Sequence, residues 1–277
     1  TLFPYTTLFR SLQDALRDVD TVIHCAGALK GLRYDDYYRG NVLYTRNLLQ
    51  AAQSHAPGLK KFIFISSQAA AGPSENRIPK QETDPSHPMS FYGLSKKAAE
   101  QEVEQSGLPY IILRPSSIYG PGDTEFYPLF KMAKNGFHIL PGNGKNQVNL
   151  LYIRDFIQAI ELALETAFTH EIYHLCGEGI FSQEEILKMA CDAAGKKGVT
   201  LKVPKILARG FGRVNTWVGN LTGKPMLLNA DKIKEVLQEA WLLDASKAKK
   251  RLSFSPEMPA PQGFAKTYAW YHQEGWL

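Results

Sequence analysis

The stretch Ser90-Phe91-Tyr92-Gly93-Leu94-Ser95-Lys96 places a phenol and an ammonium one helical turn apart. On a helix both side chains leave the same face. A free tyrosine titrates near pH ~10 and is a poor proton donor or acceptor at neutrality. A neighbouring ammonium favours the phenolate and brings that value toward the working range. Such a pair does chemistry only with a polarising hydroxyl beside it and a partner molecule held against it. Those parts depend on the elements around it.

Composition admits a soluble globular chain: 277 residues, 44% hydrophobic, 21% charged, with a formal net charge of +5. The core is ample for one large domain or two coupled ones. The basic residues are spread among acids, with no basic stripe or nucleic-acid motif, so no nucleic-acid partner is expected. No apolar run approaches the roughly 20 residues a spanning helix needs. Cys25, Cys176 and Cys191 are odd in number and widely spaced. They read as buried thiols of a reducing cytoplasm.

Residues 1–11 match one translated frame of a common sequencing-library adapter at every position. They are set aside from fold reasoning as an expected artefact, with the natural chain expected to begin upstream. Residues 12–19 read as the end of a helix. The run 20–27 is a near-continuous apolar strand closed by Ala26-Gly27. A helical pattern spans 37–54, a second buried strand 61–67, a helix 90–106, and a third strand 109–115. Strands alternating with helices argue a parallel sheet with right-handed crossovers. Ligands in such sheets sit beyond the carboxyl ends of the strands. Here those ends carry Ala26-Gly27, Ser66-Ser67 and Pro115-Ser116-Ser117.

Further on, 126–135 reads as a helix, 148–153 as a short strand and 154–166 as a helix. The run 171–176 is a strand, and helices are expected at 182–194, 204–221, 229–239, 244–252 and 262–273. His170-Glu171-Ile172-Tyr173-His174 spells a zinc-protease pattern, but that chemistry needs a helix and this run is β-rich. No metal site is expected. Gly177-Glu178-Gly179, followed by Ser182, imitates a dinucleotide turn; Ser182 and Glu185 read instead as a capping box. Within 203–221, Val203, Leu207, Val214, Trp217, Val218 and Leu221 form an apolar stripe among basic residues. The stripe is either a substrate lid or membrane-surface contact, or a helix packed on the core.

Jointly, Val22-Ile-His-Cys-Ala-Gly27, Gly40-Asn41 with Asn47-Leu-Leu49, Phe62-Ile-Phe-Ile-Ser-Ser67, Tyr92 with Lys96, Arg114-Pro-Ser-Ser-Ile-Tyr-Gly-Pro-Gly122 and Tyr152-Ile-Arg-Asp155 resemble the extended short-chain dehydrogenase/reductase family. This is also called the NAD-dependent epimerase/dehydratase family. The resemblance implies an α/β fold: a Rossmann-type parallel sheet, incomplete here because its first strands and Gly-rich loop are missing, with a smaller, mostly helical substrate lobe. Residues 12–120 would be the partial dinucleotide-binding domain, with a return segment near 150–175, and 121–149 with 176–277 the substrate lobe. The strand at 20–25 would then be an exposed apolar edge, and the chain as it stands would bind dinucleotide poorly.

The resemblance implies catalysis by Ser67, Tyr92 and Lys96. Tyr92 would be the general acid/base, Lys96 would hold the ribose and depress the Tyr92 pKa, and Ser67 would hydrogen-bond the reacting oxygen. NAD or NADP would lie against Ala26, Gly27, Asn41, Ser66, Tyr92, Lys96, Pro115 and Ser117. Gln68, Phe91, Phe126, Tyr127 and Trp217 are candidate pocket walls. The implied activity is NAD(P)-dependent hydride transfer between nicotinamide and a secondary alcohol or ketone. A nucleotide-sugar epimerase or dehydratase and a dinucleotide-sensing regulator are the alternatives. Nucleotide-sugar members usually carry an Arg where this chain has Val148, which favours a less charged small-molecule substrate. A homodimer through the helices 37–54 and 90–106 is implied as well.

Overall fold

The computed structural model describes residues 12–226 and 228–277. The expectation for residues 1–11 lies outside the described residues. Four strands, β1 (Thr21–His24), β2 (Lys61–Ile65), β3 (Tyr110–Pro115) and β8 (Glu171–Leu175), pair in the order β1-β2-β3-β8. Every pairing is parallel, so each connection must cross over through a helix. One helical run, α over Tyr34–Tyr37, π over Tyr38–Leu43 and α again over Tyr44–His55, links β1 to β2. Phe91–Gln105 links β2 to β3, and Ile153–Glu165 precedes β8.

Strand alternation sorts the sheet's side chains into two cores. Phe62, Phe64 and Ile112 pack with Val42, Leu49, Ala99 and Val103 of the first two helices. Ile63, Ile111, Leu113 and Tyr173 point the other way, onto Phe156, Ala159 and Ala163 of the third. The central strands are therefore apolar on both faces, as near-continuous Val/Ile/Phe runs require. β1 is an edge strand among the described residues, and its Ile23 is 42% exposed.

Beyond β3 the chain adds three small sheets: β4 (Ser117–Tyr119) with β7 (Leu150–Tyr152), β5 (Phe137–Pro141) with β10 (Val199–Val203), and β6 (Gln147–Val148) between β9 (Phe181–Ser182) and β11 (Ala240–Trp241). Only the 148–153 strand was expected from pattern, because two- to five-residue strands carry too little periodicity to read. The helices Tyr127–Asn135, Gln183–Ala194 and Ala260–Gln273 close a third core around Tyr119, Phe130, Phe264 and Tyr271. Ser182 and Glu185 do form the capping box. His170 stands just before β8 and His174 within it, so the pair does not share a helix face. No described helix is long and apolar enough to cross a membrane.

Candidate active site

The Tyr92 helix begins at Ser90, whose hydroxyl accepts from the Gly93 amide at 3.0 Å. A second, one-turn helix (Gln68–Ala71) starts from Ser67, whose Oγ accepts from the Ala69 amide at 3.1 Å. The two helices touch at a glycine: a Cβ on Gly93 would fall 2.4 Å from the Ala69 carbonyl oxygen. That closeness brings the residue before Gly93 toward the residue before Gln68, and the Ser67 hydroxyl lies near enough to the Tyr92 phenol to favour its ionised form. Ser95 Oγ donates to the Tyr92 carbonyl at 2.7 Å, fixing the first turn.

Burial dominates the Tyr92 phenol and pushes its pKa up to about 12, against the pull of Ser67 and with Glu235 and Glu125 adding to the rise. The expected depression by Lys96 is not seen. The Lys96 ammonium donates to the Ile65 carbonyl at 2.6 Å and lies 4.3 Å from the Phe64 ring centroid, so it does not reach the phenol as a free charge. Its own pKa falls to about 8, chiefly through burial, with Glu100 and Cys25 opposing.

Asn41 and Ser66 are committed to the scaffold. Asn41 Oδ1 accepts from the Ala28 amide at 2.6 Å, while its Nδ2 donates to the Ala28 carbonyl and to Ser95 Oγ. It thereby pins the loop after β1 to the Tyr92 helix. Ser66 Oγ donates to Glu100 at 2.6 Å, and Glu100 receives a two-pronged pair from Arg114 at 2.8 and 2.7 Å. All three side chains are buried. The network joins β2, β3 and the Tyr92 helix, and Arg114 and Ser66 hold the Glu100 carboxyl below its ordinary value despite its burial.

Of the expected pocket walls, Gln68 stays by the site, with Nε2 donating to Ser117 Oγ at 3.1 Å. Phe91 is partly exposed beside Tyr34. Phe126 and Tyr127 belong to the third core, packed on Phe264 and on Tyr271 with Trp276. Trp217 stands 64% exposed on the outside of its helix. These three were assigned by aromatic type, and type does not report which face an element buries. Cys25, expected to be buried, is exposed just past the end of β1, within electrostatic reach of Lys96.

Two acidic residues that sequence reasoning passed over reach the start of the Tyr92 helix. Asp231 Oδ2 accepts from the Phe91 amide at 2.7 Å, and Glu235 accepts from Ser90 Oγ. Both come from the helix Ala230–Val236 and satisfy a positive helix end. No signal in the sequence ties them to a helix some 140 residues away.

A dinucleotide fits the ribose–nicotinamide end of this site. Lys96 is buried yet has only one protein acceptor for its three N–H groups. A Cβ on Gly27 would come 2.7 Å from Asn41 Oδ1 and 3.9 Å from Lys96 Nζ, so glycine keeps the approach to Lys96 open. Beyond Pro115, the buried Ser116 Oγ has no protein partner. No Gly-rich turn precedes β1 among the described residues.

Ceramide reductase of Caulobacter vibrioides is 27% identical over 272 residues, covering 97% of this chain and 79% of the relative. The decarboxylating sterol-4-alpha-carboxylate 3-dehydrogenase of Saccharomyces cerevisiae is 26% identical over 273 residues, covering 91% and 76%. The fold matches UDP-glucuronic acid 4-epimerase from Bacillus cereus, solved with UDP-glucuronic acid and NAD, at a TM-score of 0.75 and 24% identity over 95% of this chain and 78% of that one. Residues 6–176 match the family of NAD-dependent epimerases and dehydratases, and the chain belongs to this family of NAD-dependent enzymes.

Proposed function

We propose that the protein is an NAD(P)-dependent oxidoreductase that interconverts a secondary alcohol and a ketone on a weakly charged, lipid-like small molecule. The observation that carries this reading is the contact at Gly93 between the helix that starts from Ser67 and the helix of Tyr92, which sets the Ser67 hydroxyl beside the phenol one helical turn from a buried Lys96. NAD(P), when bound, supplies or accepts the hydride. In this reading Ser67 Oγ and the Tyr92 phenol meet the substrate oxygen together. With its pKa near 12 the phenol is protonated at neutral pH, ready to donate to a carbonyl oxygen as negative charge develops there. Lys96 carries the spare donors for a ribose hydroxyl pair. Ser66, Glu100 and Arg114 act at one remove by locking the Tyr92 helix onto the sheet.

Two observations favour an uncharged substrate. Val148 sits in β6, paired with Phe181 and Trp241, so this position offers no cation to a diphosphate. Two of the relatives named above are a ceramide reductase and a sterol dehydrogenase. Nucleotide-sugar epimerisation is the second reading, supported by the family's breadth and by the fold match to an epimerase. The residues after β7 and the third core would form the substrate lobe in either case. The homodimer would use the Tyr34–His55 and Phe91–Gln105 helices, which lie side by side, tied by Arg46 to Glu102 at 2.7 Å, with Tyr44 and Leu94 exposed.

Tyr92→Phe removes the proton donor and little volume. Turnover should fall by about a thousandfold or more, within the range of general acid catalysis combined with lost oxyanion stabilisation. Cofactor binding, read by nucleotide fluorescence, should persist. Turnover within a few-fold of the parent overturns the mechanism. Conversion of a UDP-sugar to its C4 epimer, with no net change in NADH absorbance, selects the second reading.

A further inference from the structure

A surface helix ordinarily buries its large apolar residues and shows polar ones to water. The helix Lys205–Thr222 is turned the other way. Its buried positions are Ala208, Gly212 and Gly219. A Cβ on Gly212 would come 2.9 Å from Ile233 and 3.1 Å from the Ala230 Cα, so the helix presses on its neighbour through its smallest residues. The outward face carries Ile206, Leu207, Phe211, Val214, Trp217 and Leu221, each between 55% and 74% exposed. The β5–β10 ribbon feeds directly into this helix through Pro204. The ribbon itself exposes Phe137 and Ile139 opposite Val199 and Leu201, which the register sets on one of its own faces. Six large apolar residues exposed on one helix face mark a binding surface.

The charge around the patch names the occupant. Between Asp192 and Asp231 there is no acidic residue, while Lys196, Lys197, Lys202, Lys205, Arg209 and Arg213 all fall there. Of these, Lys202 is paired to Glu184. Arg209 and Arg213, one turn apart, follow from helical spacing as one border of the apolar face. With Lys234, which Asp231 partners at 3.5 Å, they line a cavity of about 360 Å³ whose other walls include Met89, Ile233 and Leu237. A second copy docked on this face would bring the same cations against one another. An apolar stripe with a basic border suits an anionic bilayer surface instead.

We propose that this face docks on an anionic membrane surface, with the Lys205–Thr222 helix lying in the interface plane and Arg209 and Arg213 holding a lipid headgroup phosphate in the cavity. The helix lies on the bilayer, since it is not apolar enough to cross it. The proposal rests on this surface alone and not on the assigned reaction.

The test uses phosphatidylcholine vesicles with and without phosphatidylglycerol. The parent protein should sediment with the anionic vesicles and be released by high salt. Brominated lipid should quench a tryptophan signal that Trp217→Phe removes, which needs no destabilising substitution. Arg209→Glu/Arg213→Glu should weaken vesicle binding by about tenfold or more, and Phe211→Ser/Trp217→Ser should abolish it with circular dichroism unchanged. A parent that stays in the supernatant, or binds neutral and anionic vesicles equally, overturns the proposal. So does a dimer that Phe211→Ser/Trp217→Ser dissociates without any vesicle binding, which assigns the face to a second copy.

Discussion

Acid should unfold this protein through two buried imidazoles. His24 and His174 are both buried, and burial holds each near a pKa of about 4, with Lys96 adding to the effect at His24 and Arg114 at His174. Their hydrogen bonds fix the tautomers, while burial and the neighbouring cations keep the rings neutral. His174 Nδ1 faces the Lys80 carbonyl at 3.0 Å, which only accepts, so the Nδ1–H donates. Nε2 is left as the acceptor facing Arg114 at 3.4 Å, where a proton would meet a cation. Thr45 gives its hydroxyl proton to the Asn41 carbonyl, so His24 Nε2 donates to Thr45 Oγ at 2.8 Å. A folded pKa below the unfolded value of 6.5 means that the unfolded chain binds more protons between pH 4 and 6.5. Stability is therefore full above about pH 6.5 and is lost as pH falls toward 4. Between pH 7.5 and 5.0 each histidine should cost about 2 kcal/mol, roughly 4 together. Glu82, Asp123 and Asp231, raised by burial, work in the opposite sense. Urea unfolding of the parent and of His174→Gln at both pH values isolates one histidine. The variant should lose about 2 kcal/mol less than the parent over that interval. Parallel losses in the two proteins would refute the reasoning.

Glu100→Gln leaves Arg114 buried without a counter-charge, and urea unfolding should show a loss of about 3–5 kcal/mol. Glu100→Leu/Arg114→Leu should recover much of it, and equal losses in both variants would refute the account of a buried ion pair. Gly93→Ala drives a methyl into the Ala69 carbonyl, which is backbone and gives little. It should part Tyr92 from Ser67 and lower kcat by about tenfold or more, in line with the cost of small misplacements at reacting groups. Unchanged turnover would show that this contact does not position the phenol.

The alternation of apolar strands with helices determined the parallel sheet from sequence, because strands buried on both faces leave runs that nothing else explains. Tyr92 and Lys96 stood out by spacing, and Ser67 was named only by the resemblance. Their relation was not legible. Whether Lys96 acts on the phenol depends on which acceptor its flexible chain finds, and here that acceptor is Ile65 O. The roles of Asn41 and Ser66 as clamps follow from partners 13 and 34 residues away, and those of Asp231 and Glu235 from about 140 residues away. The stripe at 203–221 had two readings of equal merit in the sequence, since a helical pattern records that large apolar residues share a face but not which way the face points. Only packing decided it: glycine and alanine permit the close approach, so the small residues turned inward and Trp217 turned out.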